Sequence, residues 1–141
     1  MRLKEIKKNI FELQKGQYYF AHCISTDCNM GAGIAVDFNK NFHLKQTLLE
    51  ENEILRSPGC VILYNGVFNL FTKREYYKKP NYITMRSCIK EMARYCMVFN
   101  IRHLAMPKIG CGLDKLSWAV VRNIIKEEFE NIDIEITVCY L

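Results

Sequence analysis

Residues able to do chemistry concentrate in two glycine-bearing stretches. One is Pro107-Lys108-Ile109-Gly110-Cys111-Gly112-Leu113-Asp114. Two glycines one residue apart let a backbone fold tightly and bring bare N–H groups close to an anion. Asp114 stands at the exit, where a carboxylate meets whatever the loop holds. It fits equally a capping carboxylate for the helix that follows, and residue type alone leaves both roles open. The other stretch, Ser25-Thr26-Asp27-Cys28-Asn29-Met30-Gly31-Ala32-Gly33-Ile34-Ala35, carries Gly31 and Gly33 at a helix start. Such a start presents N–H groups and a helix dipole to phosphate. It is neither a Walker A loop nor a G-x-G-x-x-G fingerprint. Either stretch alone is an ordinary turn, but the pair could grip a diphosphate. Lys108 is placed to neutralise phosphate or simply to be solvated. Lys73, in Phe71-Thr72-Lys73-Arg74, reads as a solvated lysine closing a strand. A phosphate cradle with an acid beside it points to chemistry next to a phosphorylated ligand.

These residues need elements to position them. Apolar runs of β character at residues 18–24, 60–64, 67–71, 103–106 and 132–138 predict strands, and residues 3–13 are expected to hold a first strand. Asn65-Gly66 between two of them is a hairpin turn signal. Met85, Cys88, Ile89, Met92, Cys96 and Phe99 recur at steps of three or four and mark the buried face of a helix. Pro80-Asn81 ahead of it supplies a break and a cap. A further helix is predicted over 117–129, with Asn131 as its stop, and shorter ones over 32–40 and 44–51. His22 and Trp118 read as core residues. Strands alternating with helices around one hairpin predict a three-layer α/β domain with a mixed sheet, a single domain over residues 1–141. In such sheets ligands collect beyond the carboxyl ends of the strands, where both glycine stretches fall.

Bulk composition narrows the function classes. Net charge is +5, from 20 basic and 15 acidic residues, a mild surplus that favours an anionic ligand. No apolar run approaches a membrane span, and the basic N-terminus lacks the apolar core of a signal peptide. The seven cysteines form no C-x-x-C pair and are expected to be reduced, in a cytoplasmic protein. His22, Cys23 and Cys28 match no common zinc spacing, so no metal is expected, and a monomer is.

Taken together, Ala21-His22-Cys23-Ile24-Ser25, Met30-Gly31-Ala32-Gly33-Ile34-Ala35, Phe71-Thr72-Lys73 and residues 106–114 resemble the macrodomain family. Within it they are most similar to the branch of the terminal ADP-ribose protein glycohydrolase (TARG1-type). The resemblance spans nearly the whole chain, to Ile136-Thr137-Val138. It implies a macrodomain-like three-layer α/β/α sandwich with a mixed, mostly parallel central sheet. It implies an ADP-ribose ligand, its diphosphate held between Gly31-Ala32-Gly33 and Ile109-Gly110-Cys111-Gly112, with Ile34, Thr72, Lys108 and Leu113 also among the ligand-binding residues. Adenine and ribose contacts are implied from Asn9, Ile10, Ser25 and Leu141, and catalysis from the pair Lys73 and Asp114 through a lysyl-ADP-ribose intermediate. The activity implied is removal of terminal mono-ADP-ribose from modified acidic side chains, or from acyl-ADP-ribose, with no cofactor. The implied partners are ADP-ribose and ADP-ribosylated protein or DNA. Two alternatives belong to the same resemblance: removal of ADP-ribose from thymine bases in DNA, with which Tyr76-Tyr77-Lys78-Lys79 is compatible, and a non-catalytic reader. Most macrodomains have Gly-Asp at the first strand where this chain has Lys8-Asn9. An Asn carbonyl accepts the adenine amino bond without charge assistance.

Overall fold

A computed structural model describes residues 1–51 and 54–141. Among the described residues the chain forms one six-stranded sheet: β1 (Arg2–Lys7), β2 (Tyr19–Ser25), β3 (Val61–Tyr64), β4 (Val67–Lys73), β5 (His103–Met106) and β6 (Glu135–Tyr140). Their order is β1-β6-β5-β2-β4-β3. All neighbours are parallel except the β3–β4 hairpin, whose turn is Asn65-Gly66. Four helices connect them: α1 (Ile34–Phe42), α2 (Lys45–Glu50), α3 (Tyr82–Val98) and α4 (Trp118–Glu128).

Side chains alternate across the sheet, so each face builds its own core. Phe20, Ile24 and Phe71 meet Phe38, Phe42 and Leu48 of α1 and α2 on one side. Ala21, Phe68 and Leu70 meet Met85, Ile89 and Met92 of α3 and Val121 and Ile125 of α4 on the other. Each of those large apolar side chains contributes about 1.5–3 kcal/mol by leaving water. The result is the three-layer sandwich with a mixed, mostly parallel sheet.

Several boundaries differ from the sequence reading. The first strand ends at Lys7, because Asn9 accepts the Phe11 N–H (3.0 Å) and starts a 3-10 turn, Ile10–Glu12. The last strand runs to Tyr140 rather than Val138, since its pairing with β1 continues to Lys7. The α1 helix begins at Ile34, two residues later than expected, because Gly33 lies at φ 62° and ψ −156°, outside helical space. The α3 helix begins earlier than its apolar face, where the Asn81 side chain accepts the Thr84 N–H at 2.8 Å. The α4 helix, Trp118–Glu128 with Phe129 as its C-cap, by contrast matches the expected 117–129.

The five mutually parallel strands end on one edge of the sheet. Ser25, Lys73 and Met106 close β2, β4 and β5 there, beside the ends of β1 and β6.

Candidate active site

A cleft of about 1340 Å³ opens along that edge. One wall is the start of α1, where Ala32, Gly33, Ile34 and Ala35 line the space. The first N–H groups of a helix have no intrahelical partner, so this wall offers donors and the positive end of a dipole. The facing wall is residues 107–115. The walls approach closely: a Cβ on Gly33 would lie 3.0 Å from the Leu113 side chain. On the cleft floor Lys73 Nζ donates to Asp114 Oδ1 at 2.5 Å. Their side chains are only 12% and 18% exposed, so this pair is largely withdrawn from water.

The first loop is braced by its own polar residues. Asp27 accepts from the Ser25 hydroxyl, from the Asn29 N–H (3.0 Å) and from the Tyr76 N–H (3.0 Å). Burial raises the Asp27 carboxyl, but those bonds and the nearby Lys73 charge outweigh it and hold it below its ordinary range. Thr26 N–H donates to the Lys73 carbonyl and the Thr26 hydroxyl to the Arg74 carbonyl, both at 2.9 Å, so the loop is zipped to the end of β4. Two thiols also line the cleft. Burial pushes Cys111 up to about 11, and burial with neighbouring Cys88 and Asp114 pushes Cys23 well above its ordinary value. Neither is a ready thiolate.

Charge is distributed unevenly. Among the described residues the cleft is lined by Lys8, Lys40, Lys73, Lys78, Lys79, Lys108 and Lys115 against Asp37 and Asp114. That excess of five equals the formal charge of the whole chain, +5, so the rest of the molecule is balanced. Low-dielectric walls with one sign of charge concentrate anions between them.

No family model matches the sequence. The human ADP-ribose glycohydrolase OARD1 is 40% identical over 143 aligned residues, covering 97% of this chain and 90% of that one. The chain belongs to the OARD1 family. Among solved structures, the macrodomain of Thermus aquaticus DarG matches with a TM-score of 0.81 at 20% identity, over 99% of this chain and 98% of that one. A Thermosipho africanus DarTG in complex with ADP-ribose matches with a TM-score of 0.79 at 16% identity, over 98% of this chain and 41% of that longer one. The fold is that of a macrodomain.

In this OARD1-family chain the cleft brings together most of the residues singled out in the sequence. Asn9, Ile10, Ser25, Ala32, Gly33, Ile34, Lys73, Lys108, Ile109, Gly110, Cys111, Gly112, Leu113, Asp114 and Leu141 all line it. Two expected residues do not. Thr72 is 1% exposed and turned by strand alternation away from the cleft. Gly31 spends its N–H on Asn29 Oδ1 at 3.0 Å and lies outside the cleft. Asp114 is not a helix cap: its carboxylate faces Lys73, and Ser117 occupies the cap position of α4. Lys73 is not the solvated strand-end lysine its residue type favours. His22 is fully buried, as expected. Trp118 is only half-buried, and its indole N–H donates to Glu5 at 2.9 Å. Sequence reasoning missed the bracing role of Asp27. The Ser25-x-Asp27-x-Asn29 spacing was its available signal, since Asp and Asn side chains bond the backbone two residues on. It also missed Phe11, Asp37 and Asn41, which reach the cleft only through the packing of α1 and the 3-10 turn.

Proposed function

We propose that the chain binds ADP-ribose in this cleft and hydrolyses it from terminal carboxylate esters, with Lys73 as nucleophile and Asp114 as its proton partner. The observation that carries the reading is the withdrawn Lys73–Asp114 contact at 2.5 Å, placed beneath two anion-receiving walls. The kinship with a named ADP-ribose glycohydrolase at 40% identity supports it.

In this reading the diphosphate lies between the α1 start and residues 107–115, and the adenosine reaches toward Asn9, Ile10, Phe11 and Leu141. The distal ribose then lies over Lys73. An ammonium cannot attack, so Lys73 first passes a proton to Asp114. The amine forms a C–N bond to the anomeric carbon as the C–O bond to the ester breaks, and the freed carboxylate leaves with both bonding electrons. Asp114 hands its proton to the departing carboxylate and is a base again. It then takes a proton from water, and the hydroxide forms a C–O bond to the anomeric carbon as the C–N bond breaks. That step releases ADP-ribose and the Lys73 amine, which recovers its proton from Asp114. Because the nucleophile is the protein's own, no cofactor enters.

Lys73→Ala tests this directly. Turnover of a glutamyl-ADP-ribosylated substrate should fall at least about a thousandfold, while ADP-ribose binding by calorimetry persists. Where the ribose ring of the lysyl adduct opens to an imine, borohydride present during wild-type turnover should leave an ADP-ribose adduct on Lys73. Wild-type rates in Lys73→Ala would end the proposal, and binding without any wild-type turnover would leave a reader.

A second reading keeps the chemistry and changes the carrier of the ADP-ribose. Tyr76 and Tyr77 are 56% and 69% exposed on the cleft rim, with Lys78 and Lys79 beside them. Exposed rings with interleaved lysines suit a nucleic-acid strand.

A further inference from the structure

Lys73 and Asp114 lie 41 residues apart and share no element. Lys73 closes β4, whereas Asp114 sits in a segment, residues 107–117, without helix or strand. A contact this short needs something that fixes the two segments relative to each other. We propose that the first turn of α3 is that device, with Tyr82 and Thr84 as positioning residues. The proposal rests on the reading of Lys73 and Asp114 as the catalytic pair.

Three contacts converge on that turn. The Thr84 hydroxyl donates to the carbonyl of Thr72 at 2.8 Å, gripping the backbone one residue before Lys73. The Tyr82 hydroxyl accepts the Ser117 N–H at 3.0 Å, gripping the backbone three residues after Asp114. Among the described residues, and apart from the start of α4 itself, where Val121 N–H donates to the Ser117 carbonyl at 3.1 Å, no other hydrogen bond ties residues 107–117 to a helix. The Met85 side chain lies beneath the same segment: a Cβ on Gly110 would sit 2.5 Å from Met85 Cε. The turn is itself held, since Asn81 caps it through the Thr84 N–H at 2.8 Å. Neither Tyr82 nor Thr84 lines the cleft, so neither touches substrate. Their effect passes through the separation of the two reacting side chains, where displacements well under an ångström cost rate.

Tyr82→Phe removes only the hydroxyl, and Thr84→Val keeps the volume of the side chain. Each should lower kcat on glutamyl-ADP-ribosylated substrate by about tenfold while KM and the ADP-ribose Kd stay within about twofold. Thr84→Ser, which keeps the donor, should restore kcat. Unchanged kcat in both variants would overturn the proposal. So would a loss of kcat matched by an equal loss of ADP-ribose affinity, or one that Thr84→Ser fails to repair, because those outcomes describe general loosening. Lys73→Ala assayed alongside separates the two ideas. Full turnover there removes the catalytic pair itself, whereas lost turnover there with unchanged Tyr82→Phe removes only the clamp.

Discussion

His22 shows how far the surroundings of one residue can set its chemistry. It is fully buried in β2, and its ring stacks on Phe38 of α1 at 4.3 Å between centroids. Asn69 Nδ2 donates to the carbonyls of Ile62 and Val67, both at 3.1 Å, which turns Asn69 Oδ1 toward His22. At 2.7 Å that oxygen requires the proton on His22 Nε2, so the neutral tautomer is fixed by its neighbour. Burial pulls the imidazole down to about 4, against a partial rise from the Asn69 bond. The folded value lies below the unfolded one of about 6.5, so the unfolded chain binds the proton first as pH falls. The stabilisation from a neutral His22 is therefore complete above about pH 6.5 and is lost down to about pH 4. Urea unfolding should show about 2 kcal/mol less stability at pH 5 than at pH 7. A His22→Gln variant should lose most of that dependence while remaining a fold of the same secondary structure. A flat wild-type profile over that range would contradict the buried neutral assignment.

At the scale of elements, the wall formed by residues 107–115 depends on one glycine more than the other. Gly110 lies at φ 74°, and a Cβ there would meet Met85 Cε at 2.5 Å and the Leu116 side chain at 3.0 Å. Gly112 has no atom within 4 Å of such a Cβ, and its φ is not positive. Gly110→Ala should cost about 1–3 kcal/mol in chemical denaturation and weaken ADP-ribose binding, whereas Gly112→Ala should stay within about 0.5 kcal/mol. Equal effects of the two would mean the wall is soft enough to absorb either change. The same segment shows what the sequence made legible. The two glycines, the flanking strand and the acid marked a loop at a strand end, because turns and apolar runs are local properties. The mixed sheet with one antiparallel hairpin followed from alternation of helices and strands around Asn65-Gly66. The burial of Lys73 was not legible, since it arises from β2, α3 and the distant 107–115 segment closing around the end of β4. Tyr82 was invisible for the same reason: its hydroxyl acts on a backbone N–H 35 residues away. The tilt of Thr72 out of the cleft needed the strand's registration, which one residue of slip reverses.

At the scale of the whole molecule, the formal charge of +5 is that of the cleft, and the other faces are neutral in sum. Lys8 and Lys108 border the end toward Tyr140, where Lys108 Nζ sits 4.8 Å from the Tyr140 ring centre. Lys78, Lys79 and Lys115 line the cleft as well, from the segments that follow Lys73 and Asp114 in the chain. In the proposed reading a diphosphate draws on cations near the glycine walls, which leaves the exposed Lys78 and Lys79 for whatever carries the ADP-ribose. Lys78 Nζ lies 5.6 Å over the Tyr77 ring, and Tyr76 packs edge-on to Tyr77, so the rim offers both a charge and a flat face. The paired variant Lys78→Glu with Lys79→Glu distinguishes carriers, because both residues are exposed and neither touches the Lys73–Asp114 contact. If the carrier is a single strand, hydrolysis of an ADP-ribosylated thymidine oligonucleotide should fall by at least about tenfold, while the rate on free glutamyl-ADP-ribose holds. The slope of log KM against log salt for the oligonucleotide should then shrink by about 1.4, two contacts at about 0.7 each. If the carrier is a protein ester, the oligonucleotide is poor in the wild type already and the variant changes little. Equal losses on both substrates would place the two lysines in general attraction of ADP-ribose rather than in choosing its carrier.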